Sequence, residues 1–201
     1  AIEHYKMTFE FEQPEAISFS NIGECYEKLN QLEEARVYYK KATKLDPFLS
    51  VAWFGIGITL DMEDRHFEAL HYVKKAIELE DSNPEFWFAL GDLESKLGNH
   101  GPAEEAYKKV LELEPDDAAI WLDYSALLVE MGRLNDALET VAEGIKYNPD
   151  DAELYDRLTY HLILQGNKRD AYFPLQSALE KDFSQYTLLY EYEPTLKDDA
   201  G

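Results

Sequence analysis

The residues able to do chemistry are few and poorly grouped. The five histidines are His4, His66, His71, His100 and His161, and the single cysteine is Cys25. His66 and His71 lie in "HFEALH". Five residues on a helix rotate a side chain by about 140°, which is unfavourable for a shared metal ion, and there is no HExxH pair. His66 and His100 hold equivalent places in a repeating pattern and read as surface turn residues. Cys25 has no marked thiolate-stabilising context and reads as a small packed side chain. Asp116–Asp117 and Asp150–Asp151 read as helix starts, where negative charge meets the positive end of the macrodipole. No phosphate loop, dinucleotide fingerprint or Ca²⁺ loop is present. These residues imply no catalytic centre, no cofactor and no metal.

Bulk composition narrows the partner classes. The chain has 201 residues, with 19 Lys and Arg against 41 Asp and Glu, for a net charge of −22. Such a field repels nucleic acid and anionic membrane surfaces and favours basic partners. No apolar run approaches the ~18 residues that would span a bilayer. One cysteine permits no internal disulfide, which suits a reducing compartment such as the cytoplasm without requiring it.

The elements that must position any site are set by a repeat. Trp53, Trp87 and Trp121 are spaced 34 residues apart, and the same register reaches Phe19 and Tyr155. Four residues after each aromatic stand Gly23, Gly57, Gly91, Ser125 and Thr159, and sixteen after it stand Ala35, Ala69, Ala103, Ala137 and Ala171. A further small series follows at Ala42, Ala76, Val110, Gly144 and Ala178. Pro47, Pro115 and Pro149 close three of the units. Within each unit the aromatic, the apolar residue three on and the small residue four on share one helical face. A single unit cannot bury that face, whereas stacked units can. Asp or Ser is expected to cap the helix that follows each turn. Ser125 and Thr159, in place of Gly, predict looser packing. Pro174 is expected to kink the second helix of the last unit.

The pattern resembles the tetratricopeptide repeat, most fully in Trp87, Leu90, Gly91, Ala103, Tyr107 and Pro115. The units run 16–49, 50–83, 84–117, 118–151 and 152–185. Residues 1–15 fit the second helix of a truncated upstream repeat, since Ala1 and Tyr5 fall in register with Ala35 and Tyr39. Further repeats are expected upstream. Residues 186–201 lose the signature and read as a capping helix and an acidic tail. The resemblance implies an all-α fold, a right-handed helical solenoid (an α-α superhelix) of about five repeats. Its concave groove would be lined by the first helices.

A second stripe on each first helix would face that groove. In the second unit it is Val51, Phe54, Ile58 and Asp61, and in the third Glu85, Phe88, Asp92 and Ser95. The fourth carries Ala119, Leu122, Ala126 and Val129, and the fifth Glu153, Asp156, Tyr160 and Ile163, with Arg157 beside it. The first unit adds Ile17, Ser20, Glu24 and Glu27. An apolar centre of this extent, with acids at both ends, suggests a partner site, though part of it would also serve as packing between first helices. The expected partner-binding set is Val51, Phe54, Ile58, Phe88, Asp92, Leu122, Ala126, Val129, Arg157 and Tyr160. Of the two adjacent rings in "WFGIGITL", Trp53 is expected in the packing and Phe54 on the groove face, in line with Phe88 and Leu122.

Co-chaperone tetratricopeptide domains hold a peptide's C-terminal carboxylate with a clamp of Lys or Arg and Asn. Here Asn21 occupies one such place, but the following ones are Gly55, Ala89 and Asp123, and the cations are missing. The sequence therefore points to a scaffold for protein interaction, with an apolar partner segment flanked by basic residues. Self-association into a homo-oligomer is the alternative, as is a non-catalytic regulatory part of a larger protein.

Overall fold

The structure is a computed structural model and describes residues 15–182. The expectations for residues 1–14 and for the capping helix and tail lie outside the described residues. The chain divides into two compact units between Leu113 and Glu114.

The first unit holds α1 (Ala16–Lys28), α2 (Leu32–Leu45), α3 (Ser50–Asp61), α4 (His66–Leu79), α5 (Pro84–Lys96) and α6 (His100–Leu113). Consecutive helices pack on one another, and the odd-numbered helices also meet, α1 with α3 and α3 with α5. The second unit holds α7 (Ala118–Glu130), α8 (Leu134–Tyr147), α9 (Ala152–Leu164) and α10 (Tyr172–Lys181), with α7 also against α9. No strand occurs among the described residues.

Local chemistry starts and stops these helices. Asn83 accepts from the Glu85 amide at 3.1 Å, Asp117 from Ala119 at 2.9 Å and Asp151 from Leu154 at 3.0 Å. Each satisfies one of the free amides of a first turn. Pro84 is the first residue of α5, where its fixed φ fits and its missing N–H costs nothing. Ser50 departs from the expected capping role. It lies inside α3, and its hydroxyl bonds Glu80, on the turn after α4. Pro174 does not kink a helix either. The chain turns through residues 168–171 and α10 begins only at Tyr172, which leaves Pro174 in the first turn. A proline there removes no intrahelical bond. Ser125 and Thr159 are fully buried. Their hydroxyls donate to the carbonyls of Leu122 and Tyr155 in their own helices, both at 2.8 Å.

The two adjacent rings of α3 differ from the sequence expectation. Trp53 is half-buried, stacked on Tyr72 with centroids 6.1 Å apart, and its indole N–H points to the turn before α3. Phe54 is only 9% exposed, and its ring lies 4.6 Å from that of Phe86. The reason is the position of α3, which is flanked by α1, α2, α4 and α5. A helix enclosed on that many sides is apolar nearly all round and buries rings on more than one face. "WFGIGITL" is therefore a central helix in which β-branched residues pack well, despite their weak helix propensity.

Candidate partner-binding surface

The first unit contains a cleft of ≈ 560 Å³. From α1 it is lined by Ile17, Ser20, Asn21, Glu24, Glu27 and Lys28, from α2 by Tyr39, from α3 by Val51, Phe54, Gly55 and Ile58, and from α5 by Glu85 and Phe86. The structure thus brings Val51, Phe54 and Ile58 of the expected set together with the acidic stripe of α1. Val51 and Ile17 are exposed at 37% and 43%, and Phe54 forms a buried floor.

The cleft is held open by one ring. Tyr39 is 4% exposed, and its ring lies between the backbones of two first helices. A Cβ added at Gly23 would meet the ring at 2.8 Å, and one at Gly55 at 2.3 Å. Only glycine at both places lets the ring pass, so Gly55 serves close approach and not a loop. The Tyr39 hydroxyl then donates to Glu27 at 2.8 Å. Burial holds the Tyr39 pKa well above its ordinary value, with the Glu27 charge adding to it, so the phenol stays protonated and donates. Burial likewise raises the Glu27 carboxyl, the Tyr39 hydrogen bond opposes this, and Glu24 and Glu85 raise it further. Glu24 is tied to Lys28 at 2.5 Å.

Other expected residues lie elsewhere. Phe88 is half-buried with its ring 6.2 Å from Tyr107, apart from the cleft. Asp92 pairs with Lys96 at 2.7 Å, and Lys96 also reaches Asp61 at 2.9 Å. In the second unit Leu122, Ala126 and Val129 are half-buried on α7, and Tyr160 is half-buried on α9. Arg157 donates to the Leu122 carbonyl at 3.4 Å, so its charge is spent partly on α7. Several lysines of the second helices are paired with acids. Lys74 meets Glu94 at 2.7 Å, Lys75 meets Glu78 at 2.8 Å, and Lys109 meets Glu112 at 2.8 Å. Cys25 is a half-buried free thiol. Among the described residues no group of three His, Cys, Asp or Glu is placed to hold a metal ion. No described helix is long and apolar enough to cross a membrane.

Two buried positions escaped the sequence reading. Ala52, Phe86, Ile120 and Leu154, each one residue before the repeated aromatic, are core residues. So are Thr59, Leu93, Leu127 and His161, six residues after it. Both series were visible in the same 34-residue register as runs of apolar or small residues, with His161 the exception.

Helix pairs begin at Ala16, Ser50, Pro84, Ala118 and Ala152, 34 residues apart. Three family models, each described as tetratricopeptide repeat, match residues 16–49, 63–118 and 96–162. The chain belongs to the tetratricopeptide repeat family. Similar tetratricopeptide folds occur among solved structures. One is YrrB, described as a tetratricopeptide repeat protein with an unusual peptide-binding site. It has a TM-score of 0.74 and 23% identity, over 95% of this chain and 98% of that one. A MamA protein has a TM-score of 0.74 and 20% identity, over 86% of this chain and 94% of its own. MamA from Desulfovibrio magneticus RS-1, residues 41 to the end, has a TM-score of 0.72 and 17% identity, over 85% and 96%. At these identities the likeness shows the fold alone, an all-α helical-repeat solenoid. No curated protein sequence is significantly similar to this chain. Tetratricopeptide repeats act in general as protein-interaction modules that bind protein or peptide partners.

Proposed function

We propose that this chain is a protein-interaction scaffold that holds a partner segment on the surface of α1, α3 and α5 in the first unit. The segment is apolar with basic flanks. The observation that carries this reading is the cleft itself, where the exposed Ile17 and Val51 adjoin Ile58 and the Phe54 floor beside Glu24, Glu27 and Glu85. Apolar anchors would supply affinity, while the carboxylates would set orientation and on-rate. Phe88 and Asp92 extend the surface along α5. The stripe of Leu122, Ala126 and Val129, with Arg157 and Tyr160, is a second surface on the other unit. The reading assigns the chain no catalytic step and no cofactor.

The test is selection of peptides from a displayed random library on the wild-type chain. Apolar segments with flanking Lys or Arg are expected, and their binding should be lost in Ile17→Asp combined with Val51→Asp. Both side chains are exposed, so helical circular dichroism should be unchanged. Selection of acidic segments, or undiminished binding to the double variant, would overturn the reading.

A further inference from the structure

The cleft of the first unit has a charge that its apolar floor does not explain. Three carboxylates, Glu24, Glu27 and Glu85, reach it from α1 and α5, against the single lysine Lys28. Lys28 is already engaged with Glu24. Glu27 sits half-buried against Tyr39, and both other carboxylates repel its charge. Glu24 and Glu85 are exposed, so the charge that lacks solvent is that of Glu27, and a cation beside it would offset both the burial and the repulsion. The described residues offer no metal-holding group there, which argues against a divalent ion and for an organic cation. The floor beneath the carboxylates is Val51, Phe54 and Ile58, a surface that suits an alkyl stem.

We infer that this cleft takes a lysine side chain of the bound peptide, its four-carbon stem along Val51 and Ile58 and its ammonium between Glu27 and Glu85. Lysine fits better than arginine because its compact ammonium has three donors that point in different directions. Its stem also covers apolar surface while the charge stays at the polar wall. A guanidinium holds its donors in one fixed plane, whereas the three ammonium donors can turn toward carboxylates on either side. The inference rests on the reading of this surface as the partner-binding face, and it names the side chain that the face selects.

The experiment is a ¹⁵N-correlation titration of the full chain with three capped tripeptides, Ac-Leu-Lys-Leu-NH2, Ac-Leu-Arg-Leu-NH2 and Ac-Leu-Nle-Leu-NH2, where Nle is norleucine. The lysine peptide should shift the amides of Asn21, Val51, Gly55 and Ile58 saturably, at least about tenfold more tightly than norleucine. The gain should shrink at high salt. Glu27→Gln with Glu85→Gln should reduce lysine binding to the norleucine level, and glutamine at 27 still accepts from Tyr39. The inference falls if the double variant binds like wild type, if arginine binds more tightly than lysine, or if the lysine peptide leaves the cleft amides unmoved. If norleucine binds in the cleft as tightly as lysine, the cation site falls while the apolar partner surface stands. Should Ile17→Asp with Val51→Asp leave library-selected binding intact, the surface reading itself fails.

Discussion

The indole N–H of Trp53 donates to the carbonyl of Pro47 at 2.9 Å, six residues earlier in the chain. Trp87 does the same to Asp81 at 2.7 Å, Trp121 to Pro115 at 2.8 Å, and the Tyr155 hydroxyl to Pro149 at 3.2 Å. Four of the five repeated aromatics, all but Phe19, thus latch a first helix to the turn before it. The bond is made at different depths: Trp53 and Trp87 are half-buried, while Trp121 is buried.

Removing the donor while keeping a ring isolates the latch. Trp53→Phe and Trp87→Phe should each lose about 1 kcal/mol, the usual net value of one hydrogen bond. Trp121 is 7% exposed, so Trp121→Phe should cost more, because it leaves a carbonyl without its partner in a drier place. Urea denaturation followed by circular dichroism checks the order. Equal stability of all three variants and wild type would remove the latch from the account.

Gly55→Ala is expected to destabilise by about 1–3 kcal/mol, as overpacking does. The gain of about 1 kcal/mol in helix propensity from glycine to alanine does not offset a Cβ placed 2.3 Å from the Tyr39 ring. Gly55→Ala with Tyr39→Leu should recover much of the loss, a coupling that a double-mutant cycle measures directly.

The turn inside each unit has a left-handed residue in the same register. Gly98, Gly132 and Gly166 adopt it with φ of 75°, 73° and 83°, but Asn30 and Asp64 adopt it with φ of 56° and 59°. Asn30→Gly and Asp64→Gly should therefore stabilise, each by up to about 1 kcal/mol, since the Cβ penalty is removed. Thermal unfolding of the two single variants tests this, with a raised midpoint expected for both.

His161 is 1% exposed, and its Nε2 lies 3.4 Å from the Ser125 hydroxyl. Burial pushes its pKa down to about 4, and the Arg157 charge adds to the effect. The folded state thus binds this proton less readily than the unfolded chain, whose histidine titrates near 6.5. Stability from this group is fully present above about pH 6.5 and is lost as pH falls toward 4, by roughly 2–3 kcal/mol. His161→Leu should flatten that part of the stability–pH curve. Ser125 keeps its bond to Leu122 in the variant, so the substitution leaves no new unpaired hydroxyl.

How far the sequence reaches can be seen residue by residue. The spacing of Trp53, Trp87 and Trp121 and the alanine series were enough to mark a 34-residue repeat, whose resemblance to the tetratricopeptide repeat implied an all-α solenoid of stacked units. The acids of α1 and the apolar residues of α3 could be listed as one stripe each. The resemblance put both on one groove, but how closely the two helices approach could not be read, since that depends on Tyr39 passing between Gly23 and Gly55. Periodicity reports which residues share a face and says nothing about how closely two backbones approach.

The two rings of Trp53 and Phe54 mark the division between sequence and structure. The sequence by itself determined the helix on which they lie, its place in the repeat and the divergence of the rings by about 100°. Tertiary structure decided their burial. With α1, α2, α4 and α5 around α3, the groove-side ring Phe54 is pressed onto Phe86, while Trp53 lies half-buried on Tyr72 with its N–H on the Pro47 carbonyl. Neighbours on all sides, and one polar atom that must be satisfied, outweigh the apolarity that the two residues share.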